Sequence, residues 1–168
     1  MESNHRGGFD DLSTDSLTLF QEREKQVGEL DRKVSVDLIQ SDPYELHYSC
    51  LLIPRFASHK LRGDLADYLP QWLQQVCVSY GWRLENYNVG LDYFGWSFCV
   101  PPVESPDRFM MIIRNKISVF VLSNFGGIRR EVLSNDFWAP GYLVVSGSKL
   151  ISEDLIQRYI HMARRPQG

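Results

Sequence analysis

No stretch of this sequence approaches the ~20 consecutive apolar residues of a membrane-spanning helix, which argues against a helical span. Cysteine is scarce, odd in number and scattered, at Cys50, Cys77 and Cys99. That distribution fits reduced core thiols in a cytoplasmic protein better than a disulfide framework or a zinc site. A strong basic excess is also missing: the formal net charge is -3. Residues 1–44 hold 5 Lys/Arg against 10 Asp/Glu, and the remainder holds 13 against 11. The acidity therefore sits in the leading segment, and neither part has the charge of a non-specific nucleic-acid binder. The opening Met1-Glu2-Ser3-Asn4-His5 lacks the apolar core of a secretory signal.

Chemical motifs are equally sparse. No glycine-rich phosphate loop follows a strand, and no Lys-Ser/Thr pair of the nucleotide-binding type is present. His5, His47, His59 and His161 are scattered, and none has a histidine, cysteine or carboxylate at metal-ligand spacing. No metal or cofactor is therefore expected. Nothing points to a Ser/His/Asp or Cys/His set, and Cys99, in an apolar strand, reads as an inert thiol.

What is present is one domain's worth of ordered pattern. The chain has 168 residues, 43% hydrophobic and 23% charged, ordinary values for a globular protein with one core. Residues 1–43 form an acidic extension, disordered to about residue 16. A helix follows in which Leu17, Phe20, Val27, Leu30 and Val34 share a face. Residues 44–168 form the body. A strand runs from Glu45 to Ile53 and closes at Pro54. Leu61, Leu65, Tyr68, Leu69, Trp72, Leu73, Val76 and Tyr80 trace a helix capped by Gly81, which Pro70 kinks or divides. Trp82–Val89 and Tyr93–Val100 pair as a hairpin. Ser105-Pro106 starts a helix buried through Phe109, Ile112, Ile113, Ile117, Phe120 and Val121. Gly126-Gly127 ends it, and a short basic helix spans Ile128 to Leu133. Tyr142–Val145 is a strand. The last helix is capped at Ser152, with Leu155, Ile156, Tyr159, Ile160 and Ala163 on its inner face. Strands and amphipathic helices in this order predict an α+β sandwich, a mostly antiparallel sheet covered by packed helices.

Four segments in order carry a resemblance. They are Pro54-Arg55-Phe56 after the first strand, Leu91-Asp92-Tyr93-Phe94-Gly95-Trp96 running to Pro101-Pro102, Phe137-Trp138-Ala139-Pro140-Gly141-Tyr142-Leu143-Val144, and Gln157-Arg158-Tyr159-Ile160. Together, from Tyr48 to Arg165, they resemble the IS200/IS605-type transposases, single-tyrosine nucleases of the HUH class. The resemblance implies a ferredoxin-like HUH sandwich and a homodimer whose sheet continues between subunits. In that family two histidines flanking one hydrophobic residue, with a glutamine one turn past the nucleophilic tyrosine, hold a divalent metal on the scissile phosphate. The matching positions here are Tyr93, Gly95 and Ala163, so the metal set is lost. Tyr159 stands at the nucleophile position and reads as a relic within the core stripe.

The resemblance thus implies a catalytically inactive, domesticated transposase-like domain, not an enzyme, that binds single-stranded or hairpin DNA in a regulatory role. Candidate phosphate contacts are Arg55, His59, Lys60, Arg62, Arg129, Arg130, Arg158, Arg164 and Arg165. The alternative is a protein-interaction or scaffold module that no longer binds DNA and uses the acidic extension, through residues 17–34. A third reading is a live nuclease with different ligands.

Overall fold

The computed structural model describes residues 45–165. The acidic extension and its expected helix lie outside the described residues. Four strands form one antiparallel sheet in the order β2-β3-β1-β4. Strand β1 (Leu46–Leu52) pairs with β3 (Phe94–Val100) and with β4 (Leu143–Ser146), while β3 also pairs with β2 (Arg83–Val89). The expected hairpin is present, and its turn is closed by a 2.9 Å bond from the Gly90 amide to the Tyr93 carbonyl. The α+β sandwich predicted from the element order is the fold observed.

Strand alternation divides the sheet into two unlike faces. Cys50, Leu52, Phe94, Trp96, Phe98 and Val100 point to one side. There they meet α1 (Asp64–Tyr80) and α2 (Pro106–Asn124) in the main core. Trp96, Trp138, Phe94, Phe98, Phe109 and Phe137 are its largest fully buried side chains. Each contributes ~2–3 kcal/mol of transfer free energy, so this face dominates the stability. Leu51, Ile53 and Tyr93 point to the other side, where Ile156, Tyr159 and Ile160 of α4 (Glu153–Ala163) cover them in a smaller cluster.

Local chemistry sets most of the element ends. Gly81 takes φ 71°, its amide reaches the Val78 carbonyl, and the Trp82 amide reaches the Cys77 carbonyl at 2.8 Å. This left-handed cap satisfies two carbonyls that the last turn of α1 would otherwise leave free. The Ser105 hydroxyl accepts from the Arg108 amide, with Pro106 in the first turn, and Ser152 caps α4 by accepting from Leu155.

Four expectations need correction. Helix α1 starts at Asp64, after Gly63 at φ 59°, so Leu61 is buried from the preceding loop, held by a 2.8 Å bond to the Leu91 carbonyl. Of the two outcomes expected at Pro70, kink or division, the division does not occur: the helix is continuous, because Leu65 and Leu69 before it and Trp72 and Leu73 after it are buried in one core. The short basic helix, α3, spans Gly126–Glu131, so the glycine pair opens it rather than preceding it. On α4 only Ile156 is buried and Tyr159 and Ile160 half-buried; Leu155 and Ala163 are exposed, because a single small cluster faces this helix.

Candidate functional site

The smaller face of the sheet brings together the positions singled out in the sequence. Tyr93 and Gly95, two residues apart, share this face, as alternation requires. The Tyr93 hydroxyl accepts from Asn88 Nδ2 at 2.9 Å and donates to Glu153 Oε2 at 3.1 Å, pinning β3 to the first turn of α4. Burial, with the Glu153 carboxylate beside it, pushes the phenol's pKa up, so it is a neutral hydrogen-bonding group. Gly95 lies opposite Leu51 in the ladder, and a Cβ added there would stand 3.4 Å from Leu51 Cδ1. Tyr159 packs half-buried over this cluster, its hydroxyl beside Gly141. Burial raises its pKa as well, with Arg114 acting in the opposite direction. Ala163 is exposed one turn further along α4.

The segment Phe137–Tyr142 is clamped from two sides. Its backbone pairs antiparallel with the chain that continues β1: the Ala139 amide donates to Ile53, the Arg55 amide to Phe137, and Pro54 bridges Trp138. Its start is fixed by Asp136. Oδ1 accepts from Ser118 Oγ at 3.2 Å and from the Trp138 amide at 3.1 Å, while Oδ2 accepts from Arg114 at 2.5 Å. Arg114, with a side chain only 12% exposed, also donates to the Ala139 carbonyl at 2.9 Å and the Gly141 carbonyl at 2.5 Å. One arginine on α2 and one aspartate thus set the path of the chain past Tyr159. Neither was singled out in the sequence, because the bonds that join them to each other and to Ser118, Ala139 and Gly141 span 18 to 27 positions.

The nine candidate cationic residues do not form one patch. Two converge on the exit of β1. Arg55 lies 3.8 Å from Asp136, and Arg164 donates to the Pro54 carbonyl at 3.1 Å. His59 is buried, stacked on Phe137 and 2.7 Å from Glu131 of α3, so it is a packed connector rather than an open phosphate contact. Arg129 and Arg130 of α3, next to Glu131 in the chain, are exposed, with Arg129 reaching Asn135 at 3.4 Å. Lys60 is bound to Asp92, and Arg158 pairs with Asp154 within its own helix at 2.8 Å. Arg62, Arg130 and Arg165 are exposed and make no ion pair among the described residues. Arg164 and Arg165, with Gln157, Ile160 and His161, line a shallow concavity of ≈ 370 Å³.

Comparison with known proteins decides the family. The family model described as transposase IS200-like matches residues 42–163, most of the chain. The chain belongs to the IS200-like transposase family. The transposases for insertion sequence element IS200 of Salmonella typhimurium and Salmonella typhi are both 23% identical over 113 residues, covering 67% of this chain and 73% of theirs. A crystal structure from Deinococcus radiodurans R1, of a protein classed as a transposase, superposes with a TM-score of 0.62 at 22% identity. It covers 71% of this chain and 92% of that one, and establishes the shared fold.

The divalent metal expected of an IS200-like transposase does not fit the side chains at the matching positions. A phenol held by two hydrogen bonds, a glycine and an exposed alanine offer no imidazole, carboxylate or amide donor. The same face does carry a ligand-type cluster elsewhere. Glu45, His47 and Cys99 place one ligand atom each within 4.8 Å of the others. This corrects the expectation that none of the histidines has a histidine, cysteine or carboxylate placed for metal binding: Cys99 is 52 positions from His47 in sequence but directly opposite it in the ladder. Glu45-x-His47 was the available signal, since alternation puts two strand residues of that spacing on one face.

Proposed function

We propose that this IS200-like domain has lost phosphoryl-transfer chemistry and binds nucleic acid, single-stranded or hairpin DNA, as a cytoplasmic homodimer in a regulatory role. The observation that carries the loss of chemistry is the Tyr93–Gly95 pair: where metal donors are needed, one side chain is absent and the other is committed to Asn88 and Glu153. Without a metal on the phosphate, attack by a neutral phenol whose pKa is raised has no electrophilic assistance. Binding is supported by family membership and by the convergence of Arg55 and Arg164 on the β1 exit, with the exposed Arg129 and Arg130 on α3. The open strands β2 and β4 leave two edges along which a second copy's sheet could continue. No helix among the described residues is long and apolar enough to cross a membrane.

A second reading, a protein-interaction module, is favoured by apolar side chains on the outer surfaces of α1 and α2, where Val78 is 68% and Val119 58% exposed. Fluorescence anisotropy against single-stranded, hairpin and duplex DNA and RNA over a salt series separates the two. Salt-sensitive binding that prefers one form and weakens in Arg129→Ala/Arg130→Ala supports the nucleic-acid reading. Absence of binding at low salt would overturn it in favour of a protein partner. Metal-dependent nicking of single-stranded DNA, abolished by Tyr159→Phe, would overturn the loss of chemistry.

A further inference from the structure

Beyond that reading, we propose that Glu45, His47 and Cys99, with Glu85 beside them, form a binding site for a zinc-type divalent cation, distinct from the family's metal position. Three strands build it. His47 on β1 and Cys99 on β3 are cross-strand partners, and Arg83 on β2 pairs with Cys99 from the other side. Glu45 lies two residues before His47, so it joins the same face. The irregularity between Leu84 and Asn86 adds Glu85, whose Oε1 comes to 3.0 Å from His47 Nδ1. Cys99 lies four residues along β3 from Gly95, which puts the cluster about 13 Å from the family's metal position.

The donors are one imidazole nitrogen, one sulfur and carboxylate oxygens. That mixture suits zinc and cobalt and is poorly matched to magnesium or calcium, which take oxygen ligands. Tetrahedral ligands at 2.0–2.3 Å from an ion stand about 3.3–3.8 Å from one another. The ligand atoms already lie within 4.8 Å, so closing on a cation takes shifts of about 1 Å, within the reach of side-chain torsions. Two buried atoms add an independent indication. His47 Nδ1 and Glu85 Oε2 make no hydrogen bond among the described residues, although Glu85 Oε1 stands 3.0 Å from His47 Nδ1. Buried polar atoms without a partner are costly, and a cation held between them satisfies both. The remaining charged neighbour is Arg83, which donates to Glu45 at 2.7 Å and lies 4.0 Å from Glu85. It competes for the carboxylates, so metal binding must loosen the Arg83–Glu45 pair.

Coordination forms a metal–sulfur bond and releases the Cys99 thiol proton to solvent, with no change in oxidation state. The test is titration of the full chain with Co2+, followed by competition with Zn2+. Thiolate-to-cobalt charge-transfer absorption that saturates at one ion per chain is expected, bleached by Zn2+. It should disappear in Cys99→Ser, survive in Cys50→Ser, whose thiol lies on the opposite face, and require at least about tenfold more Co2+ in His47→Gln. Arg83→Gln should lower the Co2+ concentration needed. Absorption that persists in Cys99→Ser, is lost in Cys50→Ser, or never appears in the folded wild-type chain would overturn the proposal. Because His47 is only half-buried, the His47→Gln arm remains informative if Cys99→Ser fails to fold.

Discussion

Replacing Asp136 by alanine should destabilise the domain by about 2–4 kcal/mol. The carboxylate accepts three hydrogen bonds, the 2.5 Å bond from Arg114, the bond from Ser118 Oγ and the bond from the Trp138 amide, and stands 3.8 Å from Arg55. Arg114 is nearly buried, so losing its partner leaves a positive charge with only the carbonyls of Ala139 and Gly141. Removing one member of a buried ion pair costs about 3–5 kcal/mol. Asp136 is about a third exposed and the carbonyls stay in place, which brings the figure down. For a domain of this size 1 kcal/mol corresponds to about 4 °C in Tm, so the expected fall is roughly 8–16 °C. Asp136→Asn retains an acceptor for Ser118 and Trp138 and should lose about half as much. Urea unfolding of Asp136→Ala, Arg114→Met and the double variant gives the coupling directly. A loss below about 1 kcal/mol for Asp136→Ala, or a coupling energy near zero, would refute the role assigned to this pair.

Tyr159→Phe should leave Tm within about 2 °C of wild type, since the hydroxyl makes no hydrogen bond among the described residues, whereas Tyr159→Ala should cost about 1–3 kcal/mol; calorimetry that finds the Phe variant markedly weaker would show the hydroxyl to be structural. Gly81→Ala, at φ 71°, should lose about 1 kcal/mol by urea titration, and an unchanged midpoint would count against the left-handed cap. Burial raises the Cys77 thiol from 9.0 to about 12, favouring the neutral form in the folded state. Its contribution is therefore complete below pH 9 and lost as pH rises toward 12. Unfolding free energy measured across that window should fall less steeply in Cys77→Ala than in wild type, and parallel slopes would refute the assignment.

Features governed by neighbours in the chain were legible before the structure. The caps at Ser105, Ser152 and Gly81, the β2–β3 hairpin and the alternation along β3 depend on residues a few positions apart. Tyr93, Gly95 and Tyr159 were found by ordered motifs, and the fold does gather them on one face. What escaped depends on register and distance. Glu45 and His47 meet Cys99 only because β1 and β3 pair with Leu46 opposite Val100. Asp136 and Arg114 resemble surface charges until α2 and the chain after α3 are packed together. The start of α1 was misplaced because burial of Leu61 mimics helical periodicity from a loop. The carboxylates that stand beside Arg55 and Lys60 were likewise invisible, because Asp136 and Asp92 are distant from them in the chain.

The unequal faces of the sheet bear on how such a chain can change over generations. Nearly all the bulky aromatic packing lies beneath α1 and α2, while Tyr93, Gly95 and Tyr159 sit on the lighter side under α4. A substitution on the lighter side removes few contacts from the slab that keeps the molecule folded. Selection could therefore be relaxed on one surface while the architecture persisted, and substitutions there could be sampled without the variants being purged for instability.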